Sequence, residues 1–253
     1  MTQWLRRGLR TGIKSTAYPA RPEGAPGVSP GFPAGREADG GAAALVESCP
    51  TGAIQRDDAG GLRVDSRRCV HCYRCARRAA GPLPWVHGYE WAMVPEPSKG
   101  DGPLGGPFGR SSNVIVVDAG DCGACLSEVR LLNNPYYNMH RLGFFITPTP
   151  RLADILIVVG PVTDHMRLPL MKTWDAMPSP KRVVAVGACA LSGGVFGPSF
   201  VSGEGAKSVL PVDVEVPGQP PPPLAILHGL LVAVGRRPAA AEPASPPGST
   251  CPR

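Results

Sequence analysis

Seven of the eight cysteines fall into two groups whose spacing suits sulfur ligation of metal. Cys69-Val70-His71-Cys72-Tyr73-Arg74-Cys75 is C-x2-C-x2-C, the spacing that wraps three corners of a 4Fe–4S cube. In two-cluster ferredoxins the run continues x3-C-P, and that fourth cysteine ligates the other cluster. Here the position is Ala79, followed by Ala80. Upstream, Cys49-Pro50 is the C-P end of a preceding half-repeat. The same spacing counted back from Cys49 gives Leu45, Ala42 and Asp39. One ligand set, at 39, 42, 45 and 79, is therefore wholly missing, while the other (Cys49, Cys69, Cys72 and Cys75) is wholly kept. That pattern indicates loss of one cluster as a unit and assigns one 4Fe–4S cluster to the four remaining thiols. A structural zinc site is the competing reading, but zinc ribbons pair two C-x2-C knuckles. His71 reads as a spacer between ligands.

The second group is Cys122 and Cys125, in Gly120-Asp121-Cys122-Gly123-Ala124-Cys125, with Cys189 in Val186-Gly187-Ala188-Cys189. Each segment follows an expected strand, which puts all three cysteines at the carboxyl edge of a parallel sheet, where α/β folds place their sites. C-x2-C alone suits a thioredoxin-like redox pair equally well. A third cysteine at a matching strand end favours a cluster. Asp118, Asp154 and Asp164 read as strand-end and capping residues, and His140 and His165 have no visible partner.

The elements that must position these thiols follow from the apolar pattern. Val114–Val117, Ile155–Val159 and Arg182–Val186 are short β-branched runs, as expected of buried parallel strands. Asp164–Met177 has helical spacing, with Pro169 inside it. Val212–Val216 reads as a strand and Pro222–Arg236 as the last helix, with prolines at its start. Alternating β and α elements imply a parallel sheet covered on both faces. The expected organisation is a basic amphipathic helix and linker over 1–38, a ferredoxin-like α+β segment over 39–94, a linker over 95–110, the α/β domain over 111–237, and a disordered tail over 238–253. In the first helix Trp4, Leu5, Leu9 and Ile13 share a face, with Arg6, Arg7, Arg10 and Lys14 elsewhere. Such a helix suits an anionic membrane surface or a partner subunit.

Composition narrows the function classes. Of 253 residues 32 are Gly and 31 Pro, concentrated in the linkers. The net charge is +6, and six Arg (Arg63, Arg67, Arg68, Arg74, Arg77 and Arg78) crowd the first cysteine group. Nearby Arg would stabilise the reduced form of an anionic cluster or dock an acidic partner. A nucleic-acid binder would carry the charge as a stripe with interleaved aromatics, so nucleic acid is not expected. No segment has the ~18 apolar residues of a membrane-spanning helix; the longest, Leu224 to Gly235, is short and contains His228. Arg6-Arg7 is not followed by an apolar stretch, so no export signal is expected. Without one, eight cysteines favour metal or redox chemistry over disulfides. No Gly-rich stretch matches a dinucleotide or P-loop fingerprint.

The 39–94 stretch resembles the bacterial-type ferredoxin subunit of respiratory complex I and of membrane-bound hydrogenases, as does the opening Trp4-Leu5-Arg6-Arg7-Gly8-Leu9-Arg10. Residues 112–236 carry D-C-G-A-C-L-S-E at 121–128, P-R-L-A-D-I-L-I-V-V-G-P-V-T at 150–163, G-A-C-A-L-S-G-G at 187–194 and P-V-D-V-E-V-P-G-Q-P-P at 211–221. In that order they resemble the small subunit of energy-converting (group 4) nickel–iron hydrogenases and formate hydrogenlyases, homologous to the quinone-proximal cluster subunit of complex I. The resemblance implies a flavodoxin-like fold, a cluster on Cys122, Cys125 and Cys189 next to a large catalytic subunit, and membrane subunits further out. It also implies a peripheral place on the cytoplasmic side of the membrane. Glu128 matches an acidic position of that family and is a candidate for proton movement at the subunit interface. One departure matters: the family motif P-G-C-P-P supplies a fourth ligand, and this chain has Gln219 there. A 4Fe–4S cluster with a non-cysteine ligand, a 3Fe–4S cluster and no stable cluster all remain open. Cys251 would substitute only if the tail folded back. The expected function is electron relay between the two clusters and a large subunit, with an assembly scaffold that has lost its second cluster as the alternative.

Overall fold

Strands of consecutive β-branched residues can be buried on both faces only inside a covered sheet, and that is where they lie. The computed structural model describes residues 2–25, 27–35, 41–57, 61–77, 83–95 and 104–240, apart from the side chain of Pro107. Asp39, Arg78, Ala79, Ala80 and Cys251 lie outside the described residues. In chain order the elements are α1 (Gln3–Thr11), β1 (Phe32–Pro33), α2 (Ala42–Ser48), β2 (Ile54–Arg56), β3 (Leu62–Val64), β4 (Trp85–Val86), β5 (Ser112–Asp118), α3 (Ala124–Leu131), β6 (Phe144–Ile146), β7 (Ile155–Val159), α4 (Asp164–Ala176), β8 (Arg182–Val186), α5 (Ala188–Ser192), β9 (Val214–Val216) and α6 (Pro223–Ala233).

The larger sheet has the order β6-β5-β7-β8-β9, every pair parallel. Counted within the domain this is 2-1-3-4-5, the flavodoxin-like order. Alternation along the central strands divides the core. Ile155, Ile157, Val159, Val184 and Val186 pack on one side, and Leu156, Val158, Val183 and Ala185 on the other. α6, apolar apart from His228, is entirely buried. β9 begins two residues later than the expected strand, after Asp213 has turned its carboxylate onto the Val183 N–H. Pro169 is accommodated inside α4, and Thr173 Oγ1 returns a hydrogen bond to the Pro169 carbonyl.

Among the described residues the N-terminal part holds two small antiparallel pairs and two α-helices, α1 and α2. β2 pairs with β3, and β1 with β4. The stretch read as linker over 19–38 thus contributes a strand, Phe32–Pro33, because its apolar residues have somewhere to pack. Ala42 and Leu45, two of the positions where a lost ligand set would stand, are buried with Ile54, Leu62, Val64, Cys75 and Leu83. Apolar packing occupies both of these described positions. Met93 then pairs with Glu215 across the open edge of β9, with both N–H···O bonds at 2.8 Å. The edge is covered, and the two parts are joined through backbone. Residues 238–240, expected as the start of a disordered tail, also pack: Ala240 donates to the Ala92 carbonyl.

Candidate metal centres

Cys49, Cys69, Cys72 and Cys75 line one small cavity, and none is in a disulfide. The Cys49 turn follows α2, and the other three come from the loop after a short turn at Ser66–Arg68. His71 (φ 49°) and Tyr73 (φ 58°) both have left-handed backbone, one on each side of Cys72. Such conformations are costly for bulky residues and cluster at functional sites. Here they curl the loop so that successive thiols face inward. Cys69 and Cys75 are buried, while Cys49 and Cys72 are half-buried. Burial and the neighbouring Cys75, Cys49 and Cys72 push the Cys69 thiol up to about 12. Burial alone would also raise Cys49, but the N–H groups of Thr51, Ile54 and Ala53 together outweigh it and hold that thiol below its ordinary value. The Ala53 N–H lies 3.2 Å from Cys49 Sγ.

The second set also converges, at the carboxyl ends of β5, β8 and β9. Cys122 is exposed, and Cys125 and Cys189 are buried. Cys125 Sγ lies 3.8 Å from Gln219 Oε1, and Cys189 hydrogen-bonds the same side chain. Burial raises the Cys125 thiol, with Asp121, Cys189 and Cys122 adding to it. Cys125 sits in the first turn of α3. Two glycines are required. Gly187 has φ 92° and ψ 153°, open in practice only to glycine, and an added Cβ would strike Cys125 Sγ. A Cβ on Gly194 would stand 2.6 Å from Cys189 Sγ. Asp121 caps α3 by accepting from the Gly123 and Leu126 N–H groups, and Asp118 accepts from Gly120 and Asp121. Asp154 accepts from Asn113 at a strand start, whereas Asp164 makes no side-chain cap. Glu128 is half-buried and its carboxyl is raised by burial.

Between the two sets lies a contact that sequence reasoning missed. Arg67, two residues before Cys69, puts its Nε 2.5 Å from the buried Glu215 carboxylate, four residues before Gln219. Its carbonyl accepts from Ser192 Oγ at 2.9 Å, three residues after Cys189. Trp91 Nε1 donates to the Pro217 carbonyl at 2.8 Å. Partners this far apart in sequence leave no local signal. Of the basic cluster, Arg67 is thus turned inward, and Arg77 binds the Cys72 carbonyl. Among the described residues no three of His, Cys, Asp and Glu form a site for a single metal ion. A larger cavity, of about 1050 Å³, lies beside the first set under Tyr18, Phe32, Tyr89 and Trp91 and reaches no cysteine.

The family described as NADH ubiquinone oxidoreductase, 20 Kd subunit, matches residues 122–233, a span holding the second cysteine set and Gln219. Formate hydrogenlyase subunit 7 of Escherichia coli (strain K12) is 40% identical over 126 residues, 50% of this chain and 49% of that protein. The probable membrane-bound hydrogenase subunit mbhJ of Pyrococcus furiosus is 41% identical over 127 residues, 50% of this chain and 76% of that protein. One NADH-quinone oxidoreductase subunit of Carboxydothermus hydrogenoformans is 43% identical over 108 residues, 42% of this chain and 65% of that protein. The matched region thus spans about half the length of the first relative and three quarters of the second.

Proposed function

Because this chain belongs to the NADH ubiquinone oxidoreductase 20 Kd subunit family, we propose that it is an iron–sulfur electron-transfer subunit of a membrane-associated hydrogenase or complex I-like oxidoreductase. The observation that carries the reading is the strut between two convergent thiol sets, Arg67 held by both Ser192 and Glu215. Cys49, Cys69, Cys72 and Cys75 would hold a 4Fe–4S cluster. Inward thiols and N–H groups at sulfur fit such a group. Cys122, Cys125 and Cys189 would hold a second cluster of 4Fe–4S or 3Fe–4S type, with Gln219 at the fourth position. Glycine at 187 and 194 leaves room for those thiols. Such clusters supply one-electron transfer at potentials set by ligation, hydrogen bonds and exposure.

The chain's own work is positional. Burial raises Cys69, Cys75, Cys125 and Cys189, so the free thiols stay protonated and their protons leave as iron binds. Arg67 and Glu215 fix one site relative to the other, and the packed rings around His71 wall the first. The partners this reading requires are a large catalytic subunit next to the exposed Cys122 and membrane subunits of the same complex. Among the described residues no helix is long and apolar enough to cross a membrane, in keeping with a peripheral place.

A second reading, an assembly scaffold without the second cluster, is favoured by one residue. The Gln219 amide oxygen is a hard ligand where soft thiolate suits iron–sulfur. Anaerobic reconstitution of the full chain, with iron and sulfide counted, separates the two. The relay predicts about seven or eight iron atoms per chain, and the scaffold about four. Cys72→Ser is expected to abolish the low-potential paramagnetic resonance signal of the first cluster; an unchanged signal would sink the ligand assignment.

A further inference from the structure

Among the described residues three buried side-chain polar atoms have no hydrogen-bond partner: His71 Nε2, Trp85 Nε1 and Asp121 Oδ1. The third is an acceptor beside the second thiol set. The first two are nitrogens of residues walling the cavity that Cys49, Cys69, Cys72 and Cys75 share. Buried polar groups are nearly always paired, so two orphans around one cavity need a common reason. An indole nitrogen is a donor only, and an imidazole carries at least one N–H. Both rings are fixed by packing. His71, only 8% exposed, meets Phe32 edge-on at 4.8 Å between ring centres, and also Trp85 and Trp91. Trp85 stacks on Tyr73 at 4.4 Å. The aromatic cage therefore holds the two nitrogens in place.

We propose that His71 Nε2 and Trp85 Nε1 donate hydrogen bonds to the sulfur of the cluster held by Cys49, Cys69, Cys72 and Cys75, and raise its reduction potential. The inference rests on the cluster reading above and concerns the residues that tune it. On reduction the cluster takes one electron and gains one negative charge, so donors at its sulfur stabilise the reduced form more than the oxidised one. His71 is then neither ligand nor spacer but a positioned donor.

The test is a mediated redox titration of the reconstituted full chain, followed by paramagnetic resonance. His71→Phe and Trp85→Phe each keep a packing ring and remove the N–H. In each the iron content is expected to stay at the wild-type level. At the potential where wild type is half reduced, the oxidised-to-reduced ratio is expected to rise about tenfold, or about 59 mV for a one-electron couple. His71→Gln, which retains an N–H, should shift less, and an exchangeable proton coupled to the cluster should vanish in His71→Phe. Unchanged midpoints with full iron in both Phe variants would overturn the proposal alone. If His71→Phe fails to load, a wild-type midpoint in Trp85→Phe overturns it equally. A wild-type chain that assembles no first cluster overturns the underlying reading, and the proposal with it.

Discussion

Gln219 stands at the position where the resemblance to the hydrogenase small subunit implies a thiolate. Its amide oxygen lies 3.8 Å from Cys125 Sγ, and its side chain also meets Cys189, so the position is aimed at the thiols and not turned away. A cysteine there would add a soft ligand where an oxygen now stands. Gln219→Cys is accordingly expected to raise iron bound at the second site and to slow its loss to a chelator. No gain in iron would count against the convergence of Cys122, Cys125, Cys189 and residue 219 on one group. Glu128 belongs to the same neighbourhood, its carboxylate acting on the Cys125 thiol and on the Tyr137 phenol. His140 stacks on Phe145 with ring centres 5.3 Å apart, which accounts for it as packing.

α1 is the element that leaves its apolar face largely exposed. Trp4 and Leu9 are more than 70% exposed, and Ile13 just beyond the helix is 91% exposed. No α1 residue is buried. Basic side chains occupy the rest of the helix, the composition of an interfacial helix attracted to anionic lipid. The full chain is expected to sediment with vesicles containing phosphatidylglycerol and not with purely zwitterionic ones, and less so as salt screens the charge. Leu9→Glu should abolish the association. A wild-type chain that stays in solution with both vesicle types would assign the face to a protein subunit instead. α3 contrasts with α1: Val129 is buried in the core and the first turn carries the buried Cys125, so it is both scaffold and site.

For the whole molecule, the deciding feature is how the N-terminal part sits on the sheet. Met93 pairs with Glu215 at the β9 edge, Arg67 is ion-paired to Glu215, and the Ala92 N–H donates to His228 Nδ1 at 3.1 Å. In the Arg67–Glu215 pair only the carboxylate is buried, and removing Arg67 would leave that charge without this partner. Because His228 Nδ1 accepts, its Nε2 carries the proton and donates to the Pro238 carbonyl at 3.1 Å. Burial lowers the His228 pKa, while Glu90 and Arg237 act on it in opposite senses. The sign follows: stability is complete above the ordinary histidine value near 6.5 and is lost as pH falls toward the lowered folded-state value. The wild-type melting temperature is therefore expected to fall more between pH 7 and 5 than that of His228→Leu; equal falls would remove His228 from the account. Much of this protein was legible in the sequence. β7 and β8 were read end to end from β-branched runs, because strands buried on both faces need no alternation. That Cys69, Cys72 and Cys75 share one cavity was legible from spacing, because residues within one loop are held together by local geometry, whereas Cys49 joins them from the turn after α2. The second set was legible only as three strand-end cysteines. That Gln219 joins them, that Arg67 spans both sets, and that His71 and Trp85 bring unpaired nitrogens to one cavity was decided by tertiary packing, since each contact joins residues whose separation in the chain leaves no periodic or local trace.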